Sequence, residues 1–318
     1  MFQAQCARLR PAEPFMIQPL SLAPSPLPQN ANVLHVLPFS DLHLPRTPQP
    51  ELILANRAYL GRADYVVFLG DMVRAYATPR EYEAVRDFVS GVNRPFTAVA
   101  GNHEFYFASF DDDSELYGEM WEQAGDAEKR RKLRRFQTFW HLESLWRVFD
   151  SPLGRFVFLS LDDVESDKQE SISREQLDWF AEQLNTDLPL FVFCHAPLLL
   201  SARLDLVYYD EERTACIELG GELKRALLDR AAPTFWMSGH IHLHPDHYLF
   251  PPYLAGGRVW QVHCPDSRGY GRFKRDHRVP VMYAGVYSRH LEIDAAGVSL
   301  VTHSHAQRRD TQRFRVDF

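Results

Sequence analysis

Seven polar side chains, each just past a short apolar run, are of the types that bind metal ions. They are Asp41 and His43 in "PFSDLHLP", Asp71 in "FLGDMV", Asn102 in "GNHE", His195 in "FCHAP", and His240 and His242 in "SGHIH". His103 stands beside Asn102 in the third block. The set holds two carboxylates, one amide oxygen and four imidazoles, with no thiolate. Seven donors exceed the four of a tetrahedral zinc site. They suit two divalent ions that share a bridging group and leave positions open for water and substrate. A carboxylate can bridge because it offers several lone pairs. Mixed imidazole and carboxylate donors favour Mn, Fe or Zn over Ca.

Donors so far apart in sequence must be gathered by the fold. From residue 33 onward, apolar runs alternate with amphipathic stretches. The runs are "VLHVLPF" (33–39), "YVVFLG" (65–70), "FTAVAG" (96–101), "FVFLSL" (156–161), "LFVFCH" (190–195) and "TFWMSG" (234–239). Their Val, Phe and Leu content predicts strands buried on both faces. "TPREYEAVRDFV" predicts a helix with Thr78 as N-cap, Pro79 at the first helical position and Glu81 completing a capping box. "SREQLDWFAEQL" repeats the spacing with Ser173 and Gln176, and "CIELGGELKRALLDRAA" is a third helix candidate, weakened by Gly220 and Gly221. Strands alternating with helices predict an α/β fold, and in open α/β sheets sites form past the carboxyl ends of strands. Asp41 and His43, two apart at the end of an extended strand, are expected to point to one side. The tail segments "RVWQVHC", "VMYAGVYS", "HLEID" and "GVSLVT" predict an antiparallel portion of the same domain. Residues 105–150 break the rhythm and are expected to form one or two inserted helices that act as a lid. Residues 1–30, rich in proline, are expected to be a poorly ordered arm ahead of one domain spanning 31–318.

The ordered blocks Asp41-Leu42-His43, Gly70-Asp71, Gly101-Asn102-His103-Glu104, His195 and Gly239-His240-Ile241-His242 resemble the calcineurin-like metallophosphoesterase superfamily. The blocks cover residues 41–242, about two thirds of the chain. The resemblance implies a four-layer αββα sandwich with a mixed sheet and a two-metal site at the strand ends. It implies that Asp41, His43 and His242 bind the first ion, that Asn102, His195 and His240 bind the second, and that Asp71 bridges both. His103 would bind no metal but meet the phosphate and the leaving oxygen. Such chemistry is physically coherent. Two cations about 3.5–4 Å apart clamp a phosphate and stabilise both attacking and leaving oxygens. They also acidify a shared water, so that hydroxide is present near neutral pH and attacks in line. His103, if protonated, can give its proton to the leaving group.

The expected substrate is a small phosphate ester. "GDMVRAYA" departs from the Val-Asp-Arg-Gly continuation of protein Ser/Thr phosphatases, which argues against that branch. An acidic single domain is similar to cyclic-nucleotide phosphodiesterase relatives, so the reading leans to a phosphodiester, with a phosphomonoester as the alternative. A non-catalytic scaffold of the same fold is a second class of reading, disfavoured because every motif position is filled. The rival pattern His242-x-His244-x-Asp246-His247 has the ligand spacing of metallo-β-lactamase-like hydrolases. In those proteins the motif comes early, and here the four earlier blocks would go unexplained. His244, Asp246 and His247 are therefore expected at the rim or behind the ligands.

Bulk properties narrow the partners. Lys plus Arg is 35 and Asp plus Glu is 42, a formal net charge of −7, which argues against sequence-blind binding of nucleic acid. No run approaches a membrane span, so no membrane partner is expected. The four cysteines, Cys6, Cys194, Cys216 and Cys264, are scattered, which fits a reducing, cytoplasmic setting rather than a disulfide framework. Oligomeric state is not legible. "KRRKLRR" (129–135) reads first as a solvated helix face balanced by "DDDSE", and second as a basic lid that recruits phosphate. "SRGYGRFKRDHR" (267–278) carries the same two readings. Asp162 and Asp163 read first as strand-ending residues and second as groups that support the metal ligands from behind. His35, His141, His263, His290, His303 and His305 read as structural or surface residues.

Overall fold

A computed structural model describes residues 18–21, 23–45, 50–109, 122–200, 215–247, 249–265, 267, 270–274 and 280–318. Cys6, the first half of the proline-rich arm, the acidic run "DDDSE" and much of the 267–278 loop lie outside the described residues. The chain begins with β1 (Val33–Phe39), α1 (Pro50–Ala55), α2 (Arg57–Leu60), β2 (Tyr65–Phe68), α3 (Pro79–Val92) and β3 (Phe96–Ala98). It continues with α4 (Asp126–Trp140), β4 (Arg147–Ser151), β5 (Gly154–Leu159), α5 (Arg174–Gln183), β6 (Leu190–Cys194), α6 (Gly221–Leu228) and β7 (Thr234–Ser238). It ends with β8 (Tyr253–Gly256), β9 (Val259–His263), β10 (Tyr270–Lys274), β11 (Pro280–Ala284), β12 (Tyr287–Asp294), β13 (Gly297–Ser304) and β14 (Arg309–Asp317).

Two six-stranded sheets, in the orders β14-β13-β12-β1-β2-β3 and β4-β5-β6-β7-β9-β8, form the middle of the molecule. Both are mixed. β1, β2 and β3 run parallel, as do β5, β6, β7 and β9, and antiparallel strands flank each group. Alternation along each strand explains the layers. Leu34, Val36, Tyr65 and Val67 of the first sheet share a buried cluster with Phe156, Phe158, Phe191, Phe193, Phe235 and Met237 of the second. Rings of Phe156, Phe191 and Phe235 stack across three strands with centroids 4.9 and 5.2 Å apart. The intervening residues face helices. Phe39 meets Phe88 of α3 at 5.7 Å, and Trp236 meets Phe180 of α5 at 6.1 Å. Burial on both faces is why these strands read as continuous apolar runs, and the result is the expected helix–sheet–sheet–helix sandwich.

Local signals act as the sequence predicts. Thr78 Oγ1 accepts from Glu81 N, and Glu81 accepts in return from Thr78 N, a complete capping box on α3. Ser173 caps α5, but the Gln176 side chain turns instead to the Ser160 backbone, accepting from its N–H and donating to its carbonyl. Gly220 and Gly221, read as weak points, mark the start of α6, which is eight residues long. Among the described residues no helix is long and apolar enough to cross a membrane.

Three expectations need revision. β9 pairs antiparallel with β8, as expected of the tail, but it also lies parallel to β7 and so extends the second sheet. Of residues 105–150, expected as a lid of one or two inserted helices, the part from 126 on forms one helix, α4, and most of the edge strand β4, and Leu133, Phe136, Phe139 and Trp140 of α4 pack in the core of the body. The described residues of the arm, 18–21 and 23–30, lie against the body: Leu20 and Leu27 are buried, Leu20 N donates to Phe139 O, and Tyr65 Oη donates to Ser25 O.

Candidate metal centre

Loops past the carboxyl ends of β1, β2 and β3 of one sheet and β6 and β7 of the other meet at one rim. Six of the seven expected donors and His103 fall into overlapping groups there, and Asn102, which follows β3, adjoins His103. Asp41, His43 and His242 form one group whose ligand atoms lie within 4.8 Å of one another; His43, Asp71 and His103 form a second, and Asp71, His195 and His240 a third. Asp71 is thus shared between two groups. Asp41, Asp71 and His195 are essentially inaccessible, and Asn102 is 2% exposed.

The loops reach this arrangement by leaving the strand conformation. Asp41, His43, Asp71, His240 and His242 all have left-handed backbones, with φ of 57°, 49°, 52°, 66° and 49°. β1 ends at Phe39, so strand alternation does not orient Asp41 and His43; two tight left-handed bends do. Asp and His are among the few side chains that tolerate this region. Glycine clears the space behind them. A methyl group on Gly101 would overlap Asp71 Oδ1, and one on Gly239 would overlap Ser40 Oγ and Asp41 Oδ2.

Backbone and side-chain partners set which ring nitrogen faces the cluster. His195 Nδ1 donates to Leu69 O at 2.8 Å, and His43 and His103 turn Nδ1 to Arg74 O at 3.2 and 2.5 Å. A carbonyl only accepts, so each Nδ1 carries the hydrogen and the neutral ring offers its Nε2 lone pair inward. His195 Nε2 lies 3.1 Å from Asp71 Oδ2 and 4.0 Å from Asp41 Oδ1. His242 Nε2 lies 3.5 Å from Asp41 Oδ1, and His43 Nε2 lies 3.8 Å from the same oxygen. Asn102 Oδ1 is buried with no hydrogen-bond partner, and His195 Nε2 is not aligned for a hydrogen bond. Unsatisfied buried acceptors beside two carboxylates are what a divalent cation would satisfy, so the residues present fit the expected ions.

Electrostatics agree. Burial opposes ionisation of Asp71, but the imidazoles of His103, His195 and His43 outweigh it and hold its carboxyl well below the usual range. Burial works against a proton on His195, yet Asp71 and Asp41 raise its pKa to about 10. The carboxylates therefore call for positive charge, which a proton on His195 supplies when no cation does. Burial dominates at His103 and pushes its pKa down to about 4.

Sequence reasoning missed three residues. Glu104, quoted only as the end of its block, accepts from the N–H groups of Asp71, Met72, Val73 and Gly101 at 2.9, 2.9, 3.3 and 2.7 Å. It ties the β2 loop to the β3 loop. Gln169 Oε1 accepts from Asn102 Nδ2 at 3.0 Å, and Glu170 Oε1 accepts from His240 Nε2 at 2.9 Å. Neither belongs to a motif. The rival pattern does not assemble: among the described residues the metal-capable groups include His242 but not His244, Asp246 or His247. His244 and His247 are buried behind the rim, where His244 Nδ1 accepts from Asp246 N and His247 Nδ1 from Leu249 N.

The basic run is a solvated helix face only in part. Lys129 and Lys132 are buried, and their ammonium groups donate to the carbonyls of Val164 and Ser166 and of Phe107. Arg130, Arg131 and Arg134 face solvent. Asp162 accepts from Ser173 N and Oγ at 2.7 and 2.8 Å, so it closes the turn after β5 as expected of a strand-ending residue.

The sequence profile of calcineurin-like phosphoesterases matches residues 34–244. No curated protein matches the chain. Among solved structures, a purple acid phosphatase from yellow lupin (Lupinus luteus) superposes with a TM-score of 0.58 at 14% identity, over 93% of this chain and 55% of that one. This chain thus spans about half the length of the lupin protein. GAP50, described as the anchor in the inner membrane complex of Plasmodium, gives a TM-score of 0.55 at 12% identity, over 91% of this chain and 90% of that one. PhoD gives 0.51 at 10% identity, over 92% of this chain and 73% of that one. At such identities the likeness is one of fold.

Proposed function

The chain belongs to the calcineurin-like phosphoesterase family, and on that premise we propose that it hydrolyses a small phosphate ester with the help of two divalent transition-metal ions, Mn, Fe or Zn. The reading leans to a phosphodiester such as a cyclic nucleotide, by analogy of an acidic single domain with cyclic-nucleotide phosphodiesterase relatives, and the net charge of −7 disfavours long polyanions as substrates. A phosphomonoester is the alternative.

Asp41, His43 and His242 would hold one ion, Asn102, His195 and His240 the other, and Asp71 both. When bound, the ions supply a charge clamp for the phosphate and acidify water. The chain's own contribution is to fix lone pairs in advance, through Leu69 O, Arg74 O and Glu170, so that little reorganisation accompanies the reaction. His103 Nε2 lies 3.6 Å from Asp71 Oδ2, beside the donors. Neutral before substrate arrives, it draws a proton from solution onto Nε2 when an anionic phosphate comes beside it, because an opposite charge favours the charged ring. That proton then passes to the leaving oxygen.

One observation carries the reading. Asp41 and Asp71, both buried, converge with imidazoles whose outer nitrogens are tied to carbonyls. Buried carboxylates are costly without a cation, which favours a metal-loaded site. The test is a paired assay on Mn-loaded protein with bis-p-nitrophenyl phosphate and p-nitrophenyl phosphate, before and after chelation, with Asp71→Ala as control. Chelator-sensitive hydrolysis that Asp71→Ala abolishes is the expected result, and preference for the diester supports the lean. Preference for the monoester moves the substrate to the alternative. Hydrolysis that survives both chelation and Asp71→Ala would refute the metal-dependent reading.

A further inference from the structure

We propose that the dipeptide Gln169–Glu170 is the device that presets the second metal position, acting on two of its three terminal ligands at once. The inference rests on the two-ion reading above. Gln169 Oε1 accepts from Asn102 Nδ2 at 3.0 Å, and an amide whose nitrogen is held on one side must turn its oxygen to the other. That oxygen, Asn102 Oδ1, is buried without a hydrogen-bond partner. Glu170 Oε1 accepts from His240 Nε2 at 2.9 Å, so the hydrogen of His240 sits on Nε2 and Nδ1 keeps the lone pair. The ring then meets that of His195 edge-on with centroids 5.1 Å apart. A carboxylate behind a ligating imidazole fixes its tautomer and raises its basicity. Behind His43 and His195 stand the backbone carbonyls of Arg74 and Leu69, whereas His240 meets a carboxylate. Glu170 therefore acts on a ligand of the second position.

The dipeptide is itself held. The turn from 162 to 173 is closed at its base by Asp162 on Ser173 and by Asp163 Oδ2 accepting from Ser171 Oγ at 2.8 Å. From above, Lys129 Nζ donates to Val164 O and Ser166 O at 3.1 and 2.9 Å, and Tyr106 Oη donates to Asp167 O at 2.5 Å. Arg130 pairs with Glu165 at 3.0 Å. Part of the basic run of α4 thus fastens the turn that orients Asn102 and His240, so Gln169 and Glu170 are positioning residues on a braced support.

The test is calorimetric titration of the metal-free full chain with Mn²⁺, for wild type, Glu170→Ala, Glu170→Gln and Gln169→Ala, with electron paramagnetic resonance at two equivalents. Wild type should take two ions and show a spin-coupled pair. Glu170→Ala should keep one ion at wild-type affinity, bind the other about 10–100-fold less tightly, and show an uncoupled Mn²⁺ spectrum at an unchanged apo melting temperature. Glu170→Gln, which still accepts the hydrogen bond, should recover part of the loss. Two ions bound by Glu170→Ala at wild-type affinities, or both weakened equally, would overturn the inference. Fewer than two ions bound by wild type would instead sink the two-ion reading beneath it.

Discussion

The carboxylate of Asp41 accepts a hydrogen bond from the backbone N–H of His240 at 3.0 Å, across 199 residues of sequence. Asp41 follows β1 of one sheet and His240 follows β7 of the other, so this contact joins the two sheets at the site. Gly239 makes it possible by leaving Asp41 Oδ2 room. Gly239→Ala should push the Asp41 carboxylate aside. A shift of this kind near reacting groups costs on the order of 10²-fold in kcat/KM. Metal analysis should find the first ion depleted in a protein whose circular dichroism is unchanged. Full metal content and wild-type kinetics would show that the loop relaxes freely.

His103 is assigned a proton, not a metal, yet it lies in one group with His43 and Asp71. His103→Ala should lower turnover about 10²–10⁴-fold and erase the limb of the pH profile that reports loss of its proton, with both ions retained. Loss of an ion by mass spectrometry of the native protein would make His103 a ligand instead.

Glu104 gathers four backbone N–H groups from two loops. Burial, together with Asp71, pushes its pKa up to about 7 against those donors. Glu104→Ala would leave the donors buried and unpaired at about 1–3 kcal/mol each. Urea unfolding should record a loss on the order of 4 kcal/mol or more, larger than the loss for Glu104→Gln, which keeps one acceptor oxygen. A loss below about 1 kcal/mol would mean that the loops hold each other without it.

Burial lowers the pKa of His290 to about 4, and of His263 and His305 to about 3, from the ordinary 6.5. Each ring takes up its proton more readily in the unfolded chain. Stability is therefore fully present above about pH 6.5 and is lost as pH falls towards 4, because the unfolded state binds more protons in that window. Each ring contributes a loss of about 1 kcal/mol at pH 5.5. Denaturant midpoints of the metal-free protein should fall between pH 7 and 5, and less steeply in His305→Gln. A midpoint independent of pH over that range would contradict the neutral burial of these rings.

Much of this was legible in the sequence, for a physical reason. The donors of the site follow strands buried on both faces, and such strands print as unbroken apolar runs with polar residues directly after. Glu170 and Gln169 were not legible, because a carboxylate and an amide in the polar stretch "DDVESDKQES" look like any solvated loop. β14 was missed because "RDTQRFRVD" lies on a sheet edge with most side chains exposed, and charge on an edge strand hides its period. Lys129 and Lys132 misled in the opposite sense. A basic run suggests water around it, but two of its ammonium groups are spent on carbonyls of neighbouring loops. The orientation of Asp41 and His43 was expected from strand alternation, and a left-handed bend supplied it.

Those bends also set chemistry against durability. A left-handed backbone costs a side chain roughly 1–2 kcal/mol that glycine does not incur, and five donors at one rim adopt it. In the metal-free protein, His242→Gly should therefore melt at a higher temperature than wild type while losing a ligand. Heat resistance gained by relieving that strain at the rim would each time remove a proposed metal ligand.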